Sequence, residues 1–150
     1  MIKILTMDNG DIKSEGMNDL KIWEPSLKFG GKYDIERLEE NSDGLKIILS
    51  SIDKKEEKLL LEYKCVVCSY KNTEESFWAS QFEKLEDVYG YEFLTQHTFF
   101  RVSDSSYSKE IESGSYGAIS KEEVFHLEVI GGNAIIDIVS FGEPTLTLYC

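Results

Sequence analysis

The chain has 150 residues, 41% hydrophobic and 29% charged, with 28 acidic side chains against 16 Lys and Arg for a net charge of −12. That length and apolar content suit one domain with a packed core. The charge argues against a nucleic-acid partner or an anionic membrane surface, both of which are held by Lys and Arg neutralising phosphate.

The acidity is uneven. Residues 1–72 carry 14 acids and 12 bases, whereas residues 73–150 carry 14 acids and only Lys84, Arg101, Lys109 and Lys121 as bases. Clustered like charge opposes compaction yet steers a basic partner, so it points to an interaction surface or to solubility. The opening Met1–Asp8 meets an acid too early for a secretory signal, and three cysteines do not make a disulfide framework. No apolar run approaches the roughly 18–20 residues of a membrane span. A cytoplasmic protein is expected.

In chain order, Asn9-Gly10 between Met1–Met7 and Asp11-Ile12-Lys13 predicts a tight hairpin. Gly30-Gly31 and Asn41-Ser42-Asp43-Gly44 are further turns, bounding strands at Lys32–Leu38 and Leu45–Ile52. Leu59–Tyr70 alternates as one strand, with Leu59, Leu61, Tyr63, Cys65 and Val67 on one face. Together these make an antiparallel meander with one face buried.

One amphipathic helix is predicted over 73–89. Asn72 followed by Glu75 fits a cap, Trp78, Phe82, Leu85 and Tyr89 form a single stripe, and Gly90 ends it. Glu75, Glu83, Glu86 and Asp87 cover an adjoining face opposed only by Lys84. Glu83 with Glu86 and Asp87 sets like charges on neighbouring turns, which costs a few tenths of a kcal/mol per pair.

Thr98–Val102 then reads as a strand, and Asp104–Gly117 as a polar segment with one helical turn. Phe125–Ile130 alternates, with His126 and Glu128 opposite Phe125, Leu127 and Val129. Ala134–Phe141 is apolar on both faces, an interior strand, and Thr145–Tyr149 a last one. The fold class is β-rich α+β: an antiparallel sheet system, meander or sandwich-like, carrying one main helix.

Catalytic chemistry does not assemble from these residues. Cys65-Val66-Val67-Cys68 lies in a predicted strand, where positions three apart face opposite ways, and no second ligand pair accompanies it. It reads as small packed hydrophobes, with no metal and no cofactor expected. His97 and His126 have no nucleophile turn beside them, and His126 reads as a hydrogen-bonded structural residue. No glycine run makes a phosphate cradle. An enzyme is not the expectation.

Interface chemistry does accumulate. Trp78, Tyr89, Tyr91, Phe93, Tyr107 and Tyr116 are interleaved with acids, the pairing of aromatic anchor and charge that partner hot spots use. The partner-binding residues this predicts are Glu75, Glu83, Glu86, Asp87, Glu92, Asp104, Tyr107, Glu110 and Glu112. A rival expectation is a small-ligand or regulatory module with a pocket between sheet and helix, lined by residues such as Phe82, Leu85 and Phe100.

The run Arg101-Val102-Ser103-Asp104-Ser105-Ser106-Tyr107, the strand His126–Ile130, the apolar Ile135–Ser140 with Asp137, and Glu143-Pro144 resemble a type of small bacterial immunity protein. Such proteins are encoded beside polymorphic or contact-dependent toxins. The resemblance covers about the last third of the chain. It implies a single-domain protein that neutralises one cognate toxin, and the acidity suits a cationic nuclease. The commoner form has Tyr after the His, where this chain has Leu127. Immunity interfaces diversify with their toxins, so no binding residue is carried over, and the oligomeric state stays open.

Overall fold

β-Branched and aromatic residues at alternate positions drive much of this chain into antiparallel sheets. The computed structural model describes residues 4–6, 12–14, 19–119 and 124–149. Strands β1 (Ile4–Thr6) and β2 (Ile12–Ser14) form a two-stranded ribbon. The Asn9-Gly10 turn expected between them lies outside the described residues.

The strand β3 (Asp19–Ile22) is followed by a 3₁₀ turn at Glu24–Ser26, then β4 (Tyr33–Asn41), β5 (Gly44–Ser51), β6 (Lys58–Tyr63) and β7 (Val67–Glu74). A second 3₁₀ turn, Glu75–Trp78, leads into α1 (Ala79–Tyr89), with α2 (Tyr91–Thr95), β8 (Phe99–Ser103) and α3 (Ser106–Gly114) after it. The last strands are β9 (Phe125–Ile130), β10 (Ala134–Ser140) and β11 (Thr145–Leu148). One sheet has the order β11-β6-β5-β4 and the other β3-β8-β9-β10-β7, with every pairing antiparallel. The β-rich α+β class is as expected.

The β4-β5-β6 meander follows its turn chemistry. Gly44 has φ +115, and a Cβ there would sit 2.5 Å from the Tyr63 carbonyl oxygen, so the entry to β5 requires glycine. Where one strand was expected over Leu59–Tyr70, the chain makes two. It leaves the first sheet after Tyr63 and enters the second at Val67, with Cys65 in the link and Cys68 in β7. The alternation runs on without a break because both strands bury apolar side chains in the same interior.

The helix starts later than expected. Residues 73 and 74 finish β7 against Ile135 and Ala134, and the Glu74 carboxylate, rather than Asn72, accepts the Ser76 N–H at 3.0 Å. Gly90, with φ 91, ends α1 as predicted. Neither β3 nor α2 was expected; both are too short to show a period.

Two apolar clusters define three layers. Leu45, Ile47, Leu49, Leu59, Leu61 and Tyr63 of the four-stranded sheet meet Phe99, Phe125, Leu127, Val129, Ile136 and Ile138 of the five-stranded one. On the far side of that second sheet, Leu85 of α1 and Leu94 of α2 pack on Phe100, Val102, Ile130 and Ile135. Each fully buried Leu or Phe contributes roughly 1.5–3 kcal/mol. All six residues of β9 are buried, because helices cover the face that alternation presents as polar.

Candidate functional site

The helical layer is where the acids collect. Leu85 and Leu94 point to the sheet, so the opposite sides of α1 and α2 face outward, carrying Glu83, Asp87 and Glu92. Glu75 is exposed just ahead of α1, Glu86 is half-buried, and α3 adds exposed Glu110 and half-buried Glu112. Among the described residues, no Lys or Arg pairs with any of these seven. Asp104 differs: it holds Lys109 at 2.7 Å in front of α3.

The four-stranded sheet is the opposite case. There Arg37–Glu39, Lys46–Glu62, Lys54–Glu57 and Lys58–Glu36 pair at 3.7, 3.8, 3.1 and 2.8 Å. The charge asymmetry along the sequence is therefore an asymmetry between layers in space. Unopposed acids on one layer set up a field that attracts cations.

Three aromatics stand out of this region: Phe77 at 84% exposure, Tyr91 at 60% and Tyr116 at 99%. Trp78, Tyr89 and Phe93 instead pack into the helix–sheet cluster, Tyr89 and Phe93 stacked with ring centroids 4.9 Å apart. Phe77 was missed in the sequence; its signal is an apolar residue lying off the Trp78–Tyr89 stripe. Tyr107 is a correction: at 7% exposure it is interior, its hydroxyl 2.5 Å from Ser69 Oγ and its ring edge against His126. The first turn of α3 folds it inward over the sheet.

Between α1 and α3 a polar cleft of about 270 Å³ opens onto the five-stranded sheet. Its floor is a row across three strands, in which Glu128 of β9 opposes Asp137 of β10, and Asp137 opposes Lys71 of β7. Lys71 Nζ lies 4.5 Å from the Tyr107 ring centroid, a cation–π contact. Burial, the nearby Asp137 charge and their hydrogen bond hold the Glu128 carboxyl well above its ordinary 4.5, which favours the protonated form that donates to Asp137. Burial pushes Asp137 upward too, but hydrogen bonds from His126 and Glu128 outweigh it and keep Asp137 below its usual 3.8.

His126, 3% exposed, completes the cluster. Its Nε2 is 2.8 Å from Asp137 Oδ1 and its Nδ1 is 2.6 Å from Ser105 Oγ. Ser105 also caps α3, accepting the Ser108 N–H at 2.9 Å. The assignment that satisfies every donor has the Ser105 hydroxyl donating to Nδ1 and Nε2–H donating to Asp137. Serine, histidine and aspartate stand in line here, with the serine spent as a helix cap. The cluster ties α3 to the sheet, and the residues that carry the family resemblance, Ser105, Tyr107, His126 and Asp137, meet in it.

Elsewhere, Cys65 Sγ donates to the Gly142 carbonyl at 3.3 Å, and burial pushes the Cys68 thiol up, away from thiolate reactivity. Both are half-buried rather than core, and Cys150 lies outside the described residues. Among the described residues no group of three or more His, Cys, Asp or Glu could hold a metal, and no helix is long and apolar enough to cross a membrane. Compared with protein-family models, with curated proteins and with solved structures, the chain matches none.

Proposed function

We propose that this chain is an immunity protein that binds a cognate basic toxin in the bacterial cytoplasm and neutralises it by stoichiometric occlusion. The observation that carries this is the helical layer on which, among the described residues, Glu75, Glu83, Glu86, Asp87, Glu92, Glu110 and Glu112 have no basic partner, beside exposed Phe77, Tyr91 and Tyr116. Leaving so many carboxylates unopposed on one layer, while Glu36, Glu39, Glu57 and Glu62 of the other layer are paired, is a local cost that a cationic partner would relieve.

A nuclease with a basic cleft fits best. Carboxylates spaced along helices stand in for phosphates, and the aromatics supply apolar contact area. The resemblance over residues 101–144 points to the same class. The buried His126 cluster is then scaffold: it fixes α3 and leaves the outer acids free to vary with the toxin.

The test is capture of a partner from the host lysate at low salt and at about 0.5 M salt, where the Debye length falls to roughly 4–5 Å. The expected result is one stoichiometric basic protein, bound faster at low salt, whose toxic activity the chain abolishes. A partner that stays active when saturated with the chain would overturn the reading.

A further inference from the structure

A second concavity borders the acidic surface, with Glu75 and Tyr91 common to both. Between α1, α2 and the adjoining ends of β9 and β10 is a cavity of about 440 Å³, walled by Trp78, Phe82, Tyr91, Ile130 and Ile135. Lys32, just ahead of β4, also lines it. Of the residues expected around such a pocket, Phe82 is in the wall, while Leu85 and Phe100 are packed core at 2% and 0% exposure.

The Lys32 amine donates to the carbonyl oxygens of Ile130 at 2.6 Å and His97 at 2.7 Å. Two of its three hydrogens are thus committed to neutral acceptors and one is left over. Among the described residues no carboxylate lies within ion-pairing distance of it; Glu75 lines the same cavity without pairing. Burial without a counter-charge pushes the Lys32 pKa down to about 7, and burial together with the Lys32 charge lowers His97.

A cation largely removed from water without an opposite charge in contact is costly, and Glu75, the carboxylate in the cavity lining, does not pair with it. An occupant with one negative charge and an apolar body would supply that charge. A dianion such as phosphate would leave its second charge facing Phe82 and Ile135. Three aromatic walls favour a ring over an alkyl chain, and the volume is within the roughly 300–1,000 Å³ of small-molecule sites.

We propose that this cavity binds an aromatic monocarboxylate, its carboxylate on Lys32 Nζ and its ring among Trp78, Phe82 and Tyr91. The site goes beyond the inhibitor function and is tested on the free chain, so neither result decides the other. The probes are 1-naphthylacetate and its uncharged amide, each titrated calorimetrically at pH 7. The acid should bind at least about tenfold more tightly than the amide, the gain expected of one charge-assisted hydrogen bond. Lys32→Met should abolish that preference and leave amide binding unchanged. Should the variant not fold, titration of the native chain with the acid at pH 8 in two buffers of different ionisation enthalpy reads the same contact, with uptake approaching one proton as Lys32 recharges. Equal affinity for acid and amide, no binding of either, a preference that survives Lys32→Met, or no proton uptake would each overturn the proposal.

Discussion

Glu128 and Asp137 face each other across β9 and β10 on the helix-covered side of the five-stranded sheet, 6% and 5% exposed, and share a proton-dependent hydrogen bond. Two like acids opposed in register would repel if both were ionised. The chain resolves the conflict by protonating one and giving the other the His126 N–H.

The pair should leave a signature in stability against pH. The folded-state pKa of Glu128 is raised, so its stabilisation is complete below about its ordinary 4.5 and is lost as pH rises through the folded value. Asp137 is lowered, so its contribution is present above 3.8 and is lost as pH falls through the folded value. Glu128→Gln keeps a donor at every pH and should be more stable relative to the native chain the higher the pH. Urea unfolding of both proteins from pH 5 to 9 checks this, since titrating groups remote from the Glu128–Asp137–His126 cluster cancel in the difference. Parallel curves would show that Glu128 does not ionise differently on folding.

Ser105→Ala should destabilise the fold by about 2–4 kcal/mol, combining loss of the α3 cap with an unsatisfied ring nitrogen on buried His126. Hydrogen exchange should locate the damage in α3 rather than in the β4-β5-β6 meander. A loss under about 0.5 kcal/mol would remove Ser105 from the relay.

Tyr63 is fully buried between the sheets, and among the described residues its hydroxyl has no partner. Burial, and then Cys65, push its pKa well above 10.0. Tyr63→Phe should therefore be stabilising, by about 1–3 kcal/mol if the hydroxyl's full desolvation cost is relieved. Chemical denaturation measures it, and destabilisation would mean the hydroxyl is satisfied in solution.

For the proposed interface, Glu83→Lys, Glu86→Lys and Asp87→Lys together should weaken binding of the proposed basic partner at least about tenfold, chiefly through the on-rate at low salt. The chain should remain folded. Phe77→Ala and Tyr91→Ala should leave stability within about 0.5 kcal/mol, since both rings are solvent-facing, and should raise the off-rate instead. Surface plasmon resonance separates the two effects. Unchanged binding in both variants would move the interface off α1 and α2.

What local chemistry states, the sequence by itself determined. Alternation marked β6 and β9 and in part β5, a run apolar on both faces marked β10, a stripe at helical spacing marked α1, Gly90 marked its end, and charge counts marked the acidic half. The tertiary structure alone decided three things. It split Leu59–Tyr70 between two sheets, because a link of three residues leaves the alternation intact. It laid helices over His126 and Glu128, so residues that alternate as a polar face became a buried relay. It turned Tyr107 inward and left Phe77 outside. In each case the deciding neighbour is far away in the chain: Ser105 meets His126 across 21 residues, and Lys32 reaches the Ile130 carbonyl across 98. Periodicity reports which way a side chain points, whereas what covers it is set by packing between elements that no local pattern encodes.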